Sequence, residues 1–198
     1  MTIDFWFSIG STYSFLSVMR LADLSKETRI GFIWRPFNVR AIMKDMNNIP
    51  FTGKPVKAQY MWRDIERRAA ARGLAPKLPA PYPLAALELA NQVAAIAERE
   101  GWCEAYTVAT YRRWFEDAEP AGSEPNLSAS IAEAGEDPER VLAEAEGAAG
   151  VVALAENTDE ARRLGIFGSP SFVVGTELFW GDDRLEDAMA WHHNGRLD

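Results

Sequence analysis

Apolar residues near the start of the chain fall on both faces of an extended segment. Ile3, Phe5 and Phe7 alternate with Trp6, the pattern of a strand enclosed on two sides rather than one facing water. Ser8-Ile9-Gly10 breaks the run. Ser11 and Thr12 stand where a helix would begin, and Phe15, Leu16, Met19 and Leu24 supply its apolar face. Ile30 to Trp34 forms a second apolar strand, closed by Pro36. Strand, helix and strand in such close succession predict a parallel pair joined by a helical crossover.

The middle of the chain changes to helical periodicity. A short helix over Arg40 to Lys44 leads into a polar loop carrying Asn47, Asn48, Pro50, Gly53 and Pro55. Val56 to Arg72 reads as a helix stopped by Gly73. Pro76, Pro79, Pro81 and Pro83 then impose an extended connector. Leu84 to Glu100 is helical and ends at Gly101. Trp102 to Phe115 continues with an aromatic side of Trp102, Tyr106, Tyr111, Trp114 and Phe115, read as packing. Asp137-Pro138 is an N-cap with proline in the first turn, opening a helix to Glu146. A further helix spans about Val151 to Leu164. Phe172 to Val174 and Leu178 to Trp180 flank Gly175-Thr176, a hairpin signal. Asp182 or Asp183 is expected to cap a last helix running through His192.

This order, β-α-β, helical block, β-β-α, predicts an α/β fold whose sheet is completed by the C-terminal strands. Residues 1–40 and 166–198 would make the sheet-bearing domain, with 41–165 as an all-helical insertion. At 198 residues and 47% hydrophobic content the chain can bury a real core. A formal net charge of −8 argues against non-specific nucleic-acid binding, which needs Lys and Arg to neutralise phosphates. No basic-then-apolar leader precedes Asp4 and no apolar run reaches membrane-spanning length, so a cytoplasmic location without membrane contact is expected. Cys103 is the single cysteine, which excludes an intramolecular disulfide; it reads as a small buried residue. His192 and His193 are adjacent, so their side chains diverge on a helix and make no metal pair.

Four stretches carry a resemblance. SIGSTYSF follows the first strand, IMKDMNNIP is followed by KAQY, GIFGSPSF precedes the hairpin, and FWGDDRLE follows it. Together they resemble the DsbA-like thioredoxin superfamily with a helical insertion, and within it the kappa-class glutathione transferases and the 2-hydroxychromene-2-carboxylate isomerases. In that superfamily the first stretch holds a redox CxxC, which here reads Ser11-Thr12-Tyr13-Ser14. Without the thiols, thiol–disulfide exchange is lost, since only a thiolate attacks a disulfide. A hydroxyl at a helix start remains, able to donate to a thiolate that a ligand brings. Such a charge-assisted bond contributes about 1.5–3 kcal/mol, and a helix terminus about 0.3–1 kcal/mol. With one pKa unit at about 1.4 kcal/mol, the two bring a thiol from about 8.5 into the neutral range.

The resemblance implies glutathione as cofactor, Ser11 as the catalytic thiolate stabiliser, and a small aromatic acid as substrate. It also implies that Asn48 (with Asn47 as rival) and Lys57 contact glutathione. The Ser169 backbone before a cis Pro170 would pair with its cysteinyl unit, and Asp182 and Asp183 would meet the γ-glutamyl ammonium. A homodimer is expected on the same ground. Two positions depart from the isomerase pattern: Thr12 where a proline is common, and Ser8 where an aspartate is common. Trp6, Tyr13, Tyr60, Trp62 and Tyr82 are candidates for an aromatic cleft, with Arg35, Arg40 or Arg63 near the substrate carboxylate. The rival readings are a kappa-like glutathione transferase, a dithiol oxidoreductase and a non-catalytic glutathione-binding module.

Overall fold

The computed structural model describes residues 2–48, 51 and 53–197. Strand β1 (Thr2–Phe7) pairs in parallel with β2 (Gly31–Pro36), and antiparallel with β3 (Ser171–Val174), which pairs antiparallel with β4 (Glu177–Trp180). The sheet order is β2-β1-β3-β4. β1 is central and buried on both faces, as its sequence requires. Ile3, Phe5 and Phe7 enter the main core, where Phe5 packs on Phe7, Trp34 and Phe172. Trp6 enters a smaller cluster on the opposite face, with Phe37, Ile42, Ile166 and Val173. Fully burying one such side chain contributes about 1.5–3 kcal/mol, so β1 anchors both layers.

The expected single helix after β1 is two: α1 (Ser14–Val18) and α2 (Leu21–Thr28). Neither glycine nor proline marks the break. It falls at Arg20, whose guanidinium turns to Asp182 and Glu186 at the far end of the chain. Between β2 and β3 come α3 (Val39–Asp45), α4 (Pro55–Ala71), α5 (Leu87–Glu100), α6 (Cys103–Arg112), α7 (Asn126–Glu133), α8 (Pro138–Glu146) and α9 (Ala148–Arg163). α6 runs on into a wider π turn over Arg113–Asp117. The expected start of α8 is present, with the Asp137 carboxylate accepting from the Glu139 amide at 3.1 Å. α7 has no counterpart in the sequence reading, and α5 starts at Leu87, later than Leu84.

The aromatic side of α6 is packing: Tyr106, Tyr111, Trp114 and Phe115 are fully buried. The hairpin turns through Gly175-Thr176 with Val174 opposite Glu177. A 3-10 turn (Asp182–Arg184) then leads into α10 (Leu185–Asn194). Neither Asp182 nor Asp183 caps α10, because the Asp182 carboxylate is drawn into ion pairs and Asp183 lies over Gly181. Among the described residues no helix is long and apolar enough to cross a membrane.

Candidate active site

The turn after β1 is held from three directions. From α5, the buried Asn91 side chain accepts from the Ile9 amide at 2.8 Å and donates to the Ile9 carbonyl at 2.8 Å and the Leu87 carbonyl at 2.6 Å. From α6, the Tyr111 hydroxyl lies 3.0 Å from the Ser8 carbonyl and 3.1 Å from that of Ser11. Burial pushes its pKa far above the ordinary phenol value, so it stays a proton donor. From the segment before β3, Ser169 Oγ accepts from the Ser8 amide at 2.9 Å and sits 2.9 Å from Ser14 Oγ. Gly10 takes φ +118°, open to glycine at little cost, against the Leu87 side chain.

Ser11 is half-buried and donates its hydroxyl proton to the Ser169 carbonyl oxygen at 2.7 Å. The Ser169-Pro170 bond is cis. Ser11 is not the first helical residue: its amide closes a turn onto the Ser8 carbonyl at 2.9 Å, and α1 begins only at Ser14. What this corner presents is therefore a hydroxyl donor and not a helix terminus. Thr12, at the position of the expected proline, is buried and donates to Met61 Sδ at 2.9 Å. Ser8, at the position of the expected aspartate, is buried as well.

A cavity of about 410 Å³ opens beside Ser169 and Pro170, within the roughly 300–1,000 Å³ of small-molecule sites. Tyr13, Asp64 and Arg68 line it from one side, and Trp180 and the loop from Gly181 to Arg184 from the other. Tyr13 donates to Asp64 Oδ2 at 3.1 Å, and Arg68 Nε donates to the same oxygen at 3.0 Å. Burial, then the Asp64 charge, raise the Tyr13 pKa far above its ordinary value. Burial works to raise the Asp64 pKa too, but the hydrogen bonds from Arg68 and Tyr13 hold it below its ordinary value. Gly168 packs directly beneath Trp180, whose Nε1 would lie 2.2 Å from a Cβ at that position.

The two aspartates differ. Asp182 is 3% exposed; its Oδ1 accepts from Ser17 at 2.9 Å and faces Arg20 at 3.4 Å, and its Oδ2 pairs with Arg72. Those partners saturate it. Asp183 is half-exposed, with a loose 3.5 Å pair to Arg184. Asn47 adopts φ +53°, and its amide and that of Asn48 cap the carbonyls of Lys44 and Met43 at 2.9 and 2.8 Å, closing α3. Asparagine tolerates this left-handed position. Both asparagines serve the helix end through their backbone amides and both are exposed, so the side chain of either is open to a ligand. Lys57 is exposed in the first turn of α4, its ammonium 5.6 Å from the Phe51 ring centroid. The structure thus gathers Ser169, Pro170, Asp182 and Asp183 around one cavity, and Ser11 reaches it only through its hydrogen bond to Ser169. Ser11, Asn48 and Lys57 are not in its lining.

Of the aromatic cleft candidates, Tyr13 lines the cavity and Trp62 packs edge-on against Tyr82. Trp6 is buried under the sheet and Tyr60 points to solvent. Arg35 is paired with Glu98 and Arg63 with Glu66. Sequence reading missed Asn91, Tyr111, Asp64, Arg68 and Trp180. For Asn91 a signal was present, an asparagine, a poor helix former, inside an alanine-rich helix.

A sheet of this order with helices inserted between β2 and β3, and a cis proline facing the turn after β1, defines a thioredoxin-type protein. The DsbA-like thioredoxin domain matches residues 2–189, and the chain belongs to that family. It is 28% identical over 188 residues to 2-hydroxychromene-2-carboxylate isomerase of Sphingobium xenophagum, spanning 93% of this chain and 94% of that protein. It is 25% identical over 196 residues to the enzyme of the same name from Pseudomonas putida, spanning 96% and 94%. A solved structure of 2-hydroxychromene-2-carboxylate isomerase superposes with a TM-score of 0.85 at 24% identity, covering 96% of this chain and 95% of that one.

Proposed function

We propose that this chain is a glutathione-dependent isomerase interconverting 2-hydroxychromene-2-carboxylate and trans-o-hydroxybenzylidenepyruvate. The observation that carries the reading is the Ser11 hydroxyl, 2.7 Å from the Ser169 carbonyl beside a mixed-charge cavity. The isomerase name borne by near-full-length relatives supports it.

The residues fit the tripeptide. The cavity offers guanidiniums for its carboxylates, a half-exposed carboxylate for its ammonium, and backbone before Pro170 for its cysteinyl unit. Glutathione bound there would supply a sulfur nucleophile for reversible addition to the substrate's electrophilic double bond. Ser11 would turn its O–H from the Ser169 carbonyl toward that sulfur and favour its anionic form. Asn91, Tyr111 and Ser169 keep the turn from shifting as it does so. Asn48 and Lys57 hold the tripeptide from the α3–α4 side. Asp183 takes its ammonium, and Asp182 braces the loop that presents Asp183. The aromatic acid stacks against Tyr13, Trp62 and Tyr82, with Arg40 for its carboxylate, since Arg35 and Arg63 are committed to Glu98 and Glu66.

The test is whether purified protein interconverts the two acids only when glutathione is present. A persistent conjugate with an aryl halide would instead favour the transferase reading, and tight glutathione binding without turnover a binding module.

A further inference from the structure

The cavity holds a charge arrangement that stabilising one thiolate does not require. On the α4 wall, Asp64 accepts from Arg68 Nε at 3.0 Å and from Arg67 at 3.4 Å. Two guanidiniums around one carboxylate leave that wall with a single net positive charge. Arg68 is the one lining the cavity; its side chain is 37% exposed and anchored through Nε. On the opposite lip Asp182 is neutralised by Arg20 and Arg72, which leaves Asp183 as the negative group, folded over Gly181 with Oδ1 2.6 Å from where a Cβ would be. Arg184 also reaches the cavity, but its guanidinium turns back to its own loop: it donates to the Asp183 carbonyl at 3.0 Å and is shared between two carboxylates, 3.5 Å from Asp183 and 3.8 Å from Asp187, which leaves the lip one negative charge in excess.

A positive wall facing a negative lip across one small cavity matches the head of an α-amino acid, which carries carboxylate and ammonium on one carbon. We infer that Arg68 and Asp183 together read the α-carboxylate and α-ammonium of the γ-glutamyl residue of glutathione, with Asp64 and Tyr13 as positioning residues behind Arg68. This inference rests on the glutathione reading above and adds Arg68 to it. A guanidinium held by a carboxylate behind it is pre-oriented, so less freedom is lost when it forms paired bonds to a ligand carboxylate. The cavity therefore selects thiols by their amino-acid head, and small thiols lacking one are excluded as cofactors.

The experiment is calorimetric titration with three thiol tripeptides: glutathione, the 4-aminobutyryl analogue lacking the α-carboxylate, and the glutaryl analogue lacking the α-ammonium. For wild type, loss of either group should weaken binding by about 10- to 100-fold, the range for a charge-assisted hydrogen bond. Arg68→Met should bind glutathione and the 4-aminobutyryl analogue about equally, within roughly twofold, while still rejecting the glutaryl analogue. Asp183→Asn should show the reverse selectivity. If Arg68→Met does not fold, Arg68→Lys, which keeps the charge without the planar fork, should show a reduced preference for the α-carboxylate. Glutathione binding by wild type with no discrimination, or discrimination undiminished in the Arg68 variants, overturns this inference alone. Failure of wild type to bind glutathione at all overturns the cofactor reading and this inference with it.

Discussion

Ser11 gives its hydroxyl proton to the carbonyl of Ser169, a residue 158 positions away, at 2.7 Å. Ser14 reaches the side-chain oxygen of the same residue at 2.9 Å. The two serines at the ends of the Ser11-Thr12-Tyr13-Ser14 stretch thus converge on one residue beside the cavity.

Ser11→Ala should slow glutathione-dependent isomerisation about 10- to 100-fold, the loss expected for one hydrogen bond to an anion. Glutathione affinity should fall much less at low pH, where the sulfur is protonated. Rates and affinities measured across a pH series check both halves, and an unchanged rate would remove Ser11 from the mechanism.

Because both hydroxyls meet at Ser169, the double variant Ser11→Cys with Ser14→Cys should gain what the chain lacks, an internal dithiol. Measurable insulin reduction with a small-thiol reductant is expected, where wild type gives only background.

Asn91→Leu removes every side-chain hydrogen bond at Ile9 and leaves its buried amide and carbonyl without their partner. The cost should be about 2–4 kcal/mol, which in a chain of this size lowers the melting temperature by roughly 5–15 °C. Calorimetry reads the loss, and a shift under one degree would contradict the bracing role.

Asp64 supplies an acid-dependent share of stability. Its folded pKa lies below the ordinary 3.8, so its contribution is complete well above that value and is lost as pH falls through the folded one. Unfolding free energies of wild type and Asp64→Asn from urea titration should differ by about 1 kcal/mol at neutral pH, the range of partly solvated ion pairs. The two curves should converge on acidification below 3.8.

Burial pushes the Cys103 thiol far above its ordinary range. An alkylating reagent should therefore modify it slowly in the native protein and rapidly in denaturant. Cys103→Ala should keep the isomerase rate, as expected of a residue that only packs.

The elements with local signals were legible in the sequence. The Asp137-Pro138 start of α8, the Gly175-Thr176 hairpin and the two-sided burial of β1 each follow from a few neighbouring residues, and the structure matches them. α7 was not legible, because its helix holds buried Asn126 and Ser130, residues that locally favour turns. Asn126 is satisfied from outside, its Nδ2 donating to the carbonyls of Thr110 and Glu119 at 3.1 and 2.9 Å, and Ser130 in turn donates to Asn126 Oδ1 at 2.9 Å within the helix. The break between α1 and α2 was likewise unmarked, since no glycine or proline stands there and the Arg20 at it finds its partners, Asp182 and Glu186, at the far end of the chain. The site divides the same way. Ser11, Ser169 and Pro170 sit in motifs that can be read along the chain. Asp64 and Arg68 sit in none, and their meeting with Asp183 depends on how α4 packs against the loop after β4.

Trp180 can lie where it does only because residue 168 has no side chain. One absent methyl thus sets where the indole wall of the cavity stands. The next residue, Ser169, braces the Ser8 turn and takes the Ser11 proton. The backbone that shapes the cavity wall and the backbone that holds the serine corner are therefore one continuous strip, so a change of pocket shape at 168 is felt one residue away from Ser11's partner.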